Sequence, residues 1–212
     1  MERSTRTAGI GALAFAVLTI MALAIANPPG GSYSLKDITN YTAKSHRPAA
    51  FVSVYLALIG VIALLLMLSA LRELAGDSPR QKRAAQIFWS AGLAAAAVLA
   101  VGWCIELLIP LSRALGGAKP IAPQVAYEFT QAGTVIIWGA GFFLLGCSLI
   151  AFAFASATIP AWWRWIAAIG GVTGILSTAF FPSFILALCV VMLGVGLLVH
   201  RGTAATTAAQ AT

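Results

Sequence analysis

Polar punctuation divides this chain into long apolar runs, and the spacing of the breaks predicts the elements. After a short basic lead carrying Arg3 and Arg6, Ala8 to Ala26 is uninterrupted apolar sequence, close to the roughly 20 residues a helix needs to cross a hydrocarbon core. Ala24-Ile25-Ala26 has the form of a signal-peptide cleavage site, but the run is expected to persist as a first helix. Asn27-Pro28-Pro29-Gly30-Gly31 ends it, because proline lacks the backbone donor and glycine loses the most entropy in a helix. Ser34 and Asp37 have capping-box spacing ahead of Ile38 and Tyr41. This predicts a short interfacial helix over Ser34 to Ala43, followed by Lys44, His46, Arg47 and Pro48.

The second apolar run is Ala49 to Leu71. A loop rich in charge follows (Arg72, Glu73, Asp77, Arg80, Lys82, Arg83), broken by Gly76 and Pro79. The third run spans about Ala84 to Leu108 and stops at Pro110. The fourth, Tyr127 to Ala157, exceeds what a bilayer requires, so it is expected to tilt or to project a turn into the headgroups. Ile159-Pro160 closes it, and Trp162-Trp163-Arg164-Trp165 opens the fifth run, to Phe180, with indoles suited to headgroup depth. Phe181-Pro182 turns the chain into the sixth, Ser183 to Val199, and a Thr/Ala tail at 202–212 is too poor in large apolar groups to fold. The expectation is one all-α domain over residues 1–201, a polytopic six-transmembrane-helix bundle. Its spans are 8–26, 49–71, 84–108, 127–157, 162–180 and 183–199.

An even number of spans puts both termini on one side. Placing them in the cytoplasm gathers Arg3, Arg6, Arg72, Arg80, Lys82, Arg83, Arg164 and Arg201 there, against Lys36, Lys44, Arg47, Arg113 and Lys119 outside; that asymmetry follows the positive-inside rule. Composition strengthens the membrane reading. Hydrophobic residues make up 60% of the chain and charged residues 9%, against about a quarter charged in soluble domains. The net charge of +7 is scattered through short loops, so the basic patch that grips nucleic acid is missing, and the charge reads as topology and attraction to anionic lipid.

Glu106 and Glu128 carry the candidate chemistry. Each lies at or just inside an apolar run, where a charge is expensive enough to need a partner or a purpose. Stepping back from Glu106 at helical spacing gives Gly102, Leu99, Ala95 and Gly92; forward from Glu128 come Gln131, Ala132, Val135 and Gly139; Gly170, Gly174 and Ser177 share a face of the fifth run. In lipid, small residues guide helix contacts, so the third, fourth and fifth runs are expected to pack together with both acids pointing inward. Two facing carboxylates would suit proton exchange or cation capture. Trp103, Gln131, Arg113, Lys119, His46 and Arg47 lie on the same expected side and complete a polar pocket; alternatively those cations simply neutralise the acids.

Cys104, Cys147 and Cys189 lie in apolar runs without a C-x-x-C pair, which argues against disulfides and zinc. His46 and His200 fall on opposite expected sides, so no axial pair for haem is present. No metal or cofactor is expected. Nucleophile-elbow, zinc-protease and P-loop motifs are missing.

Ile159-Pro160-Ala161-Trp162-Trp163-Arg164-Trp165 followed by Gly170-Gly171 and Gly174, together with His46-Arg47-Pro48 and Leu71-Arg72, resembles a broad class of uncharacterised six-helix bacterial integral membrane proteins. The resemblance implies a bacterial inner membrane and transfers no catalytic residue. The expected function is non-enzymatic: binding a lipid or small amphipathic ligand in an outward-facing polar pocket, or serving as a subunit of a membrane complex or homo-oligomer. The alternatives are a small proton-coupled transporter using Glu106 and Glu128, and a membrane enzyme acting on lipid with a glutamate as general base.

Overall fold

The structure is a computed structural model that describes residues 2–29, 32–115, 121–155, 160–177 and 183–209. The described residues are helical and contain no strand. Their helices are α1 (Glu2–Ala26), α2 (Leu35–Tyr41), α3 (Arg47–Arg72), α4 (Pro79–Glu106), α5 (Leu108–Leu115), α6 (Pro123–Val135), α7 (Phe142–Ala155), α8 (Ala161–Leu176) and α9 (Ser183–Ala209). Four helical stretches are long and apolar enough to cross a membrane: Arg3–Ala26, Lys44–Arg72, Pro79–Glu106 and Pro123–Ala155. Ile185–Val199 is a shorter apolar helix.

Local chemistry sets the helix ends. Asn27 stops α1 with φ of 41°, a left-handed conformation that asparagine adopts more readily than most side chains, and its N–H donates to Leu23 O at 2.9 Å. The Ser34 hydroxyl accepts from Asp37 N at 3.3 Å and caps α2. Ser78 and Gln81 form a reciprocal capping box before Pro79 at the first position of α4.

The helices pack in a closed sequence of neighbours. α1 lies against α3 and α9, α3 against α4, α4 against α6 and α7, α7 against α8, and α8 against α9. Small residues allow the closest approaches, as expected where lipid gives helices little hydrophobic reason to associate. A Cβ on Gly146 of α7 would come within 2.5 Å of Gly171 O of α8, and one on Gly194 of α9 within 3.0 Å of Gly9 O of α1. The stripe Gly92, Ala95, Leu99, Gly102 and Glu106 is buried, and so are Gly170, Gly174 and Ser177. The buried stripe of α6 differs from expectation. It runs through Ala126, Thr130 and Gly133 and on to Ile137, while Ala132 and Val135 are exposed.

Between α6 and α7, Ile136–Gly141 forms a turn of π-helix, with Phe142 N donating to Ile137 O. A π turn leaves one carbonyl without its usual amide. The Ser177 hydroxyl at the end of α8 lies 2.9 Å from Trp138 O and 2.5 Å from Gly174 O of its own helix, so a side chain from a neighbouring helix is within reach of the irregular backbone, as apolar surroundings require.

Several expected boundaries shift. Leu107 interrupts the third run, so α4 ends at Glu106 and α5 follows as a separate helix; Pro110 is accommodated in its first turn, where a missing N–H costs nothing. The fourth helix starts at Pro123 instead of Tyr127, since proline is pre-set for a first helical turn. The backbone of α9 continues to Ala209. Residues 178–180 of the fifth run and 156–157 of the fourth lie outside the described residues.

Candidate ligand-binding site

The described residues between Asn27 and His46 lie across one end of the helices and are tied down at separate points. Gln131 Nε2 of α6 donates to Pro29 O at 2.8 Å, and the rings of Tyr33 and Tyr127 meet edge to face at 5.3 Å. Ile38 and Tyr41 form the buried face of α2. The Tyr41 hydroxyl donates to the backbone carbonyl of Glu106 at 3.1 Å. That carbonyl belongs to the last turn of α4, where no intrahelical amide remains to satisfy it. Burial, and then the neighbouring Glu106 carboxylate, hold the Tyr41 phenol well above its ordinary ionisation range.

Glu106 is 1% exposed, and neither carboxylate oxygen has a hydrogen-bond partner among the described residues. A group so placed is costly unless something compensates it. Its backbone is pressed against Gly133 of α6, and Trp103, 2% exposed, is buried one turn earlier. The His46 ring lies 4.9 Å from that of Tyr41. His46 Nε2 and Arg47 Nε are also buried without a hydrogen-bond partner among the described residues.

Two spaces lie beside this end. One is a polar cavity of about 320 Å³ lined by Asn27, Pro29, Asp37, Asn40, Tyr41 and His46. The other is an apolar groove of about 570 Å³ between Phe15, Thr19 and Leu23 of α1, Trp138 and Phe142 at the π turn, and Val190 of α9. Leu23 lines the groove, and Asn27, whose N–H donates to Leu23 O at 2.9 Å, lines the cavity, so the two spaces come close together at the end of α1. The groove volume falls within the roughly 300–1,000 Å³ usual for small-ligand sites.

The expected site residues divide. Glu106, Trp103, His46 and Arg47 gather with Tyr41 at this end, Trp103 being buried in the core. Gln131 serves as a tie to Pro29. Glu128 is exposed and accepts from Gln124 Nε2 of its own helix at 3.0 Å. The facing pair of carboxylates is therefore not formed, because Gly133 and not Glu128 is on the face of α6 turned to Glu106. The Arg113 side chain and the whole of Lys119 lie outside the described residues. Cys147 is half-buried and Cys189 buried, whereas Cys104 is exposed. No group of three His, Cys, Asp or Glu side chains that could hold a metal ion occurs among the described residues.

Sequence reasoning missed Asn27, Asn40, Tyr41 and Trp138. Tyr41 was legible as the partner of Ile38 at helical spacing. The π turn had only Gly139-Ala140-Gly141 as a signal.

No family model, no curated relative and no solved structure matches this chain. Fold and site define a protein that is helical among the described residues, with four helices long and apolar enough to cross a membrane and a polar cavity near an apolar groove.

Proposed function

We propose that the chain is a six-span protein of the bacterial inner membrane with both termini in the cytoplasm, and that it binds a lipid or similar amphipath. The acyl chain occupies the groove between α1, the π turn and α9, and the headgroup occupies the cavity under Asn40 and His46. Support for six spans comes from α8 and the apolar part of α9, which complete the packing sequence begun by the four long helices. The sidedness rests on the basic residues of the lead and of the α3–α4 loop.

The observation that carries the binding reading is a polar space lined by Asn27 beside an apolar one lined by Leu23, the two residues joined by the hydrogen bond that ends α1. The groove lies at the depth of the apolar helices, where aqueous solutes do not reach and acyl chains are abundant. A transporter built on Glu106 and Glu128 as a pair is less well supported, because Glu128 is exposed and bonded within its own helix.

The test is native mass spectrometry of the protein extracted from vesicles of phosphatidylethanolamine and phosphatidylglycerol. One lipid should survive delipidation per chain, and Ala187→Trp, which fills the groove from its α9 side, should release it. Retention by the variant equal to that of the parent protein, or loss of all lipid from the parent under mild detergent, overturns the reading.

A further inference from the structure

Glu106 is the group at this end that lipid binding does not use. Its carboxylate is 99% removed from solvent, since 1% remains exposed, and both oxygens lack a hydrogen-bond partner among the described residues. The titratable and charged groups brought by the elements around it are few. α2 contributes Tyr41, whose hydroxyl is spent on the Glu106 carbonyl, and the exposed Lys36 and Asp37. His46 and Arg47 stand at the start of α3, with buried nitrogens that make no hydrogen bond among the described residues. α6 offers Tyr127, packed on Tyr33, and Glu128, bonded to Gln124. The π turn and α7 offer Cys147 alone, and the α5 side chain Arg113 lies outside the described residues. An ionised carboxylate sealed among such neighbours would forfeit its hydration without recovering it.

We propose that Glu106 is a proton-binding site, closed off from the polar cavity by the Tyr41 ring. Tyr41 lines the cavity on one side and meets α4 at Glu106 on the other, so the phenol is the wall a proton passes when the acid loads or unloads. The carboxyl is neutral in the closed state. Displacement of Tyr41 admits water from the cavity, and the proton then leaves to that water.

The test uses the full chain in phosphatidylglycerol vesicles and dicyclohexylcarbodiimide, an apolar reagent that reacts with protonated carboxyls. Peptide mass spectrometry follows the adduct between roughly pH 5 and pH 9, the range in which buried carboxyls titrate. Glu106 should be modified at the acidic end and more than about tenfold less at the basic end, each pH unit above the midpoint lowering the protonated fraction tenfold. Tyr41→Ala should speed modification, while Glu106→Gln abolishes the adduct at that position. A Glu106 unmodified at every pH, held charged by a cationic partner, overturns the proposal, and so does modification that ignores pH. The series on the parent protein decides this even where a variant fails to fold. Retained lipid, measured in the same samples, reports separately on the binding reading.

Discussion

Gly133 of α6 lies so close to Glu106 of α4 that a Cβ added to it would stand 2.5 Å from both Cα and Cβ of Glu106. Real carbon atoms do not approach so closely, and the obstructing atoms include the backbone itself, so the helices would have to separate. Gly133→Ala should therefore destabilise the protein by about 1–3 kcal/mol, the usual cost of overpacking, read as a lower thermal midpoint in detergent. Gly139→Ala is the contrast. Its Cβ would meet only Val135 Cγ1, at 3.8 Å, and the midpoint should hardly move.

The Ser177 hydroxyl satisfies a carbonyl that the π turn leaves over. Ser177→Ala removes the hydroxyl shared between Trp138 O and Gly174 O and should cost about 1–3 kcal/mol, the penalty for an acceptor left unmet in a largely apolar setting. Thr173→Ala deletes a hydroxyl that bonds only Gly170 O of its own helix, and it should be close to neutral. Thermal unfolding of the two variants side by side checks the difference, and equal midpoints would count against the role given to Ser177.

How much of this was legible beforehand depends on what sets each feature. Long apolar runs and their proline and glycine breaks announced the helices, because span length and helix termination are local properties. The inward stripe from Gly92 to Glu106 was legible for the same reason: it is a periodicity within one helix. The partner of Glu106 was not. Choosing between the faces carrying Gly133 and Glu128 needs the rotation of α6 about its axis, which packing fixes and spacing alone does not. The ties that hold α2 and Pro29 over this end were hidden too, since they run from Tyr41 to Glu106 and from Gln131 to Pro29, far apart in sequence.

Tyr41 gives a pH dependence with a definite sign. Its phenol ionises well above the ordinary value of 10.0 in the folded protein, so folding favours the protonated form. The stability this contributes is fully present below about pH 10 and is lost as pH rises beyond it, where the unfolded chain sheds the proton first. Tyr41→Phe should be less stable at neutral pH by about 0.5–1.5 kcal/mol for the missing hydrogen bond, yet decline less steeply in alkali. Tyrosinate absorbance should also show the highest-titrating of the four tyrosines disappear in that variant. An unchanged alkaline slope would mean that Tyr41 is not sealed.

Asn27 lines the cavity directly after the last turn of α1, and its backbone and amide can be tested apart. At φ of 41°, glycine fits without strain, whereas a β-branched side chain is forced into a conformation costing roughly 1–2 kcal/mol. Asn27→Val should lower the thermal midpoint, and Asn27→Gly should preserve it. Both lose the amide of a cavity-lining residue. If that amide holds the headgroup, Asn27→Gly will release bound lipid while staying fully folded, separating recognition from stability at a single position. If the glycine variant keeps its lipid, the headgroup is held elsewhere in the cavity, and Asn27 serves only to end α1.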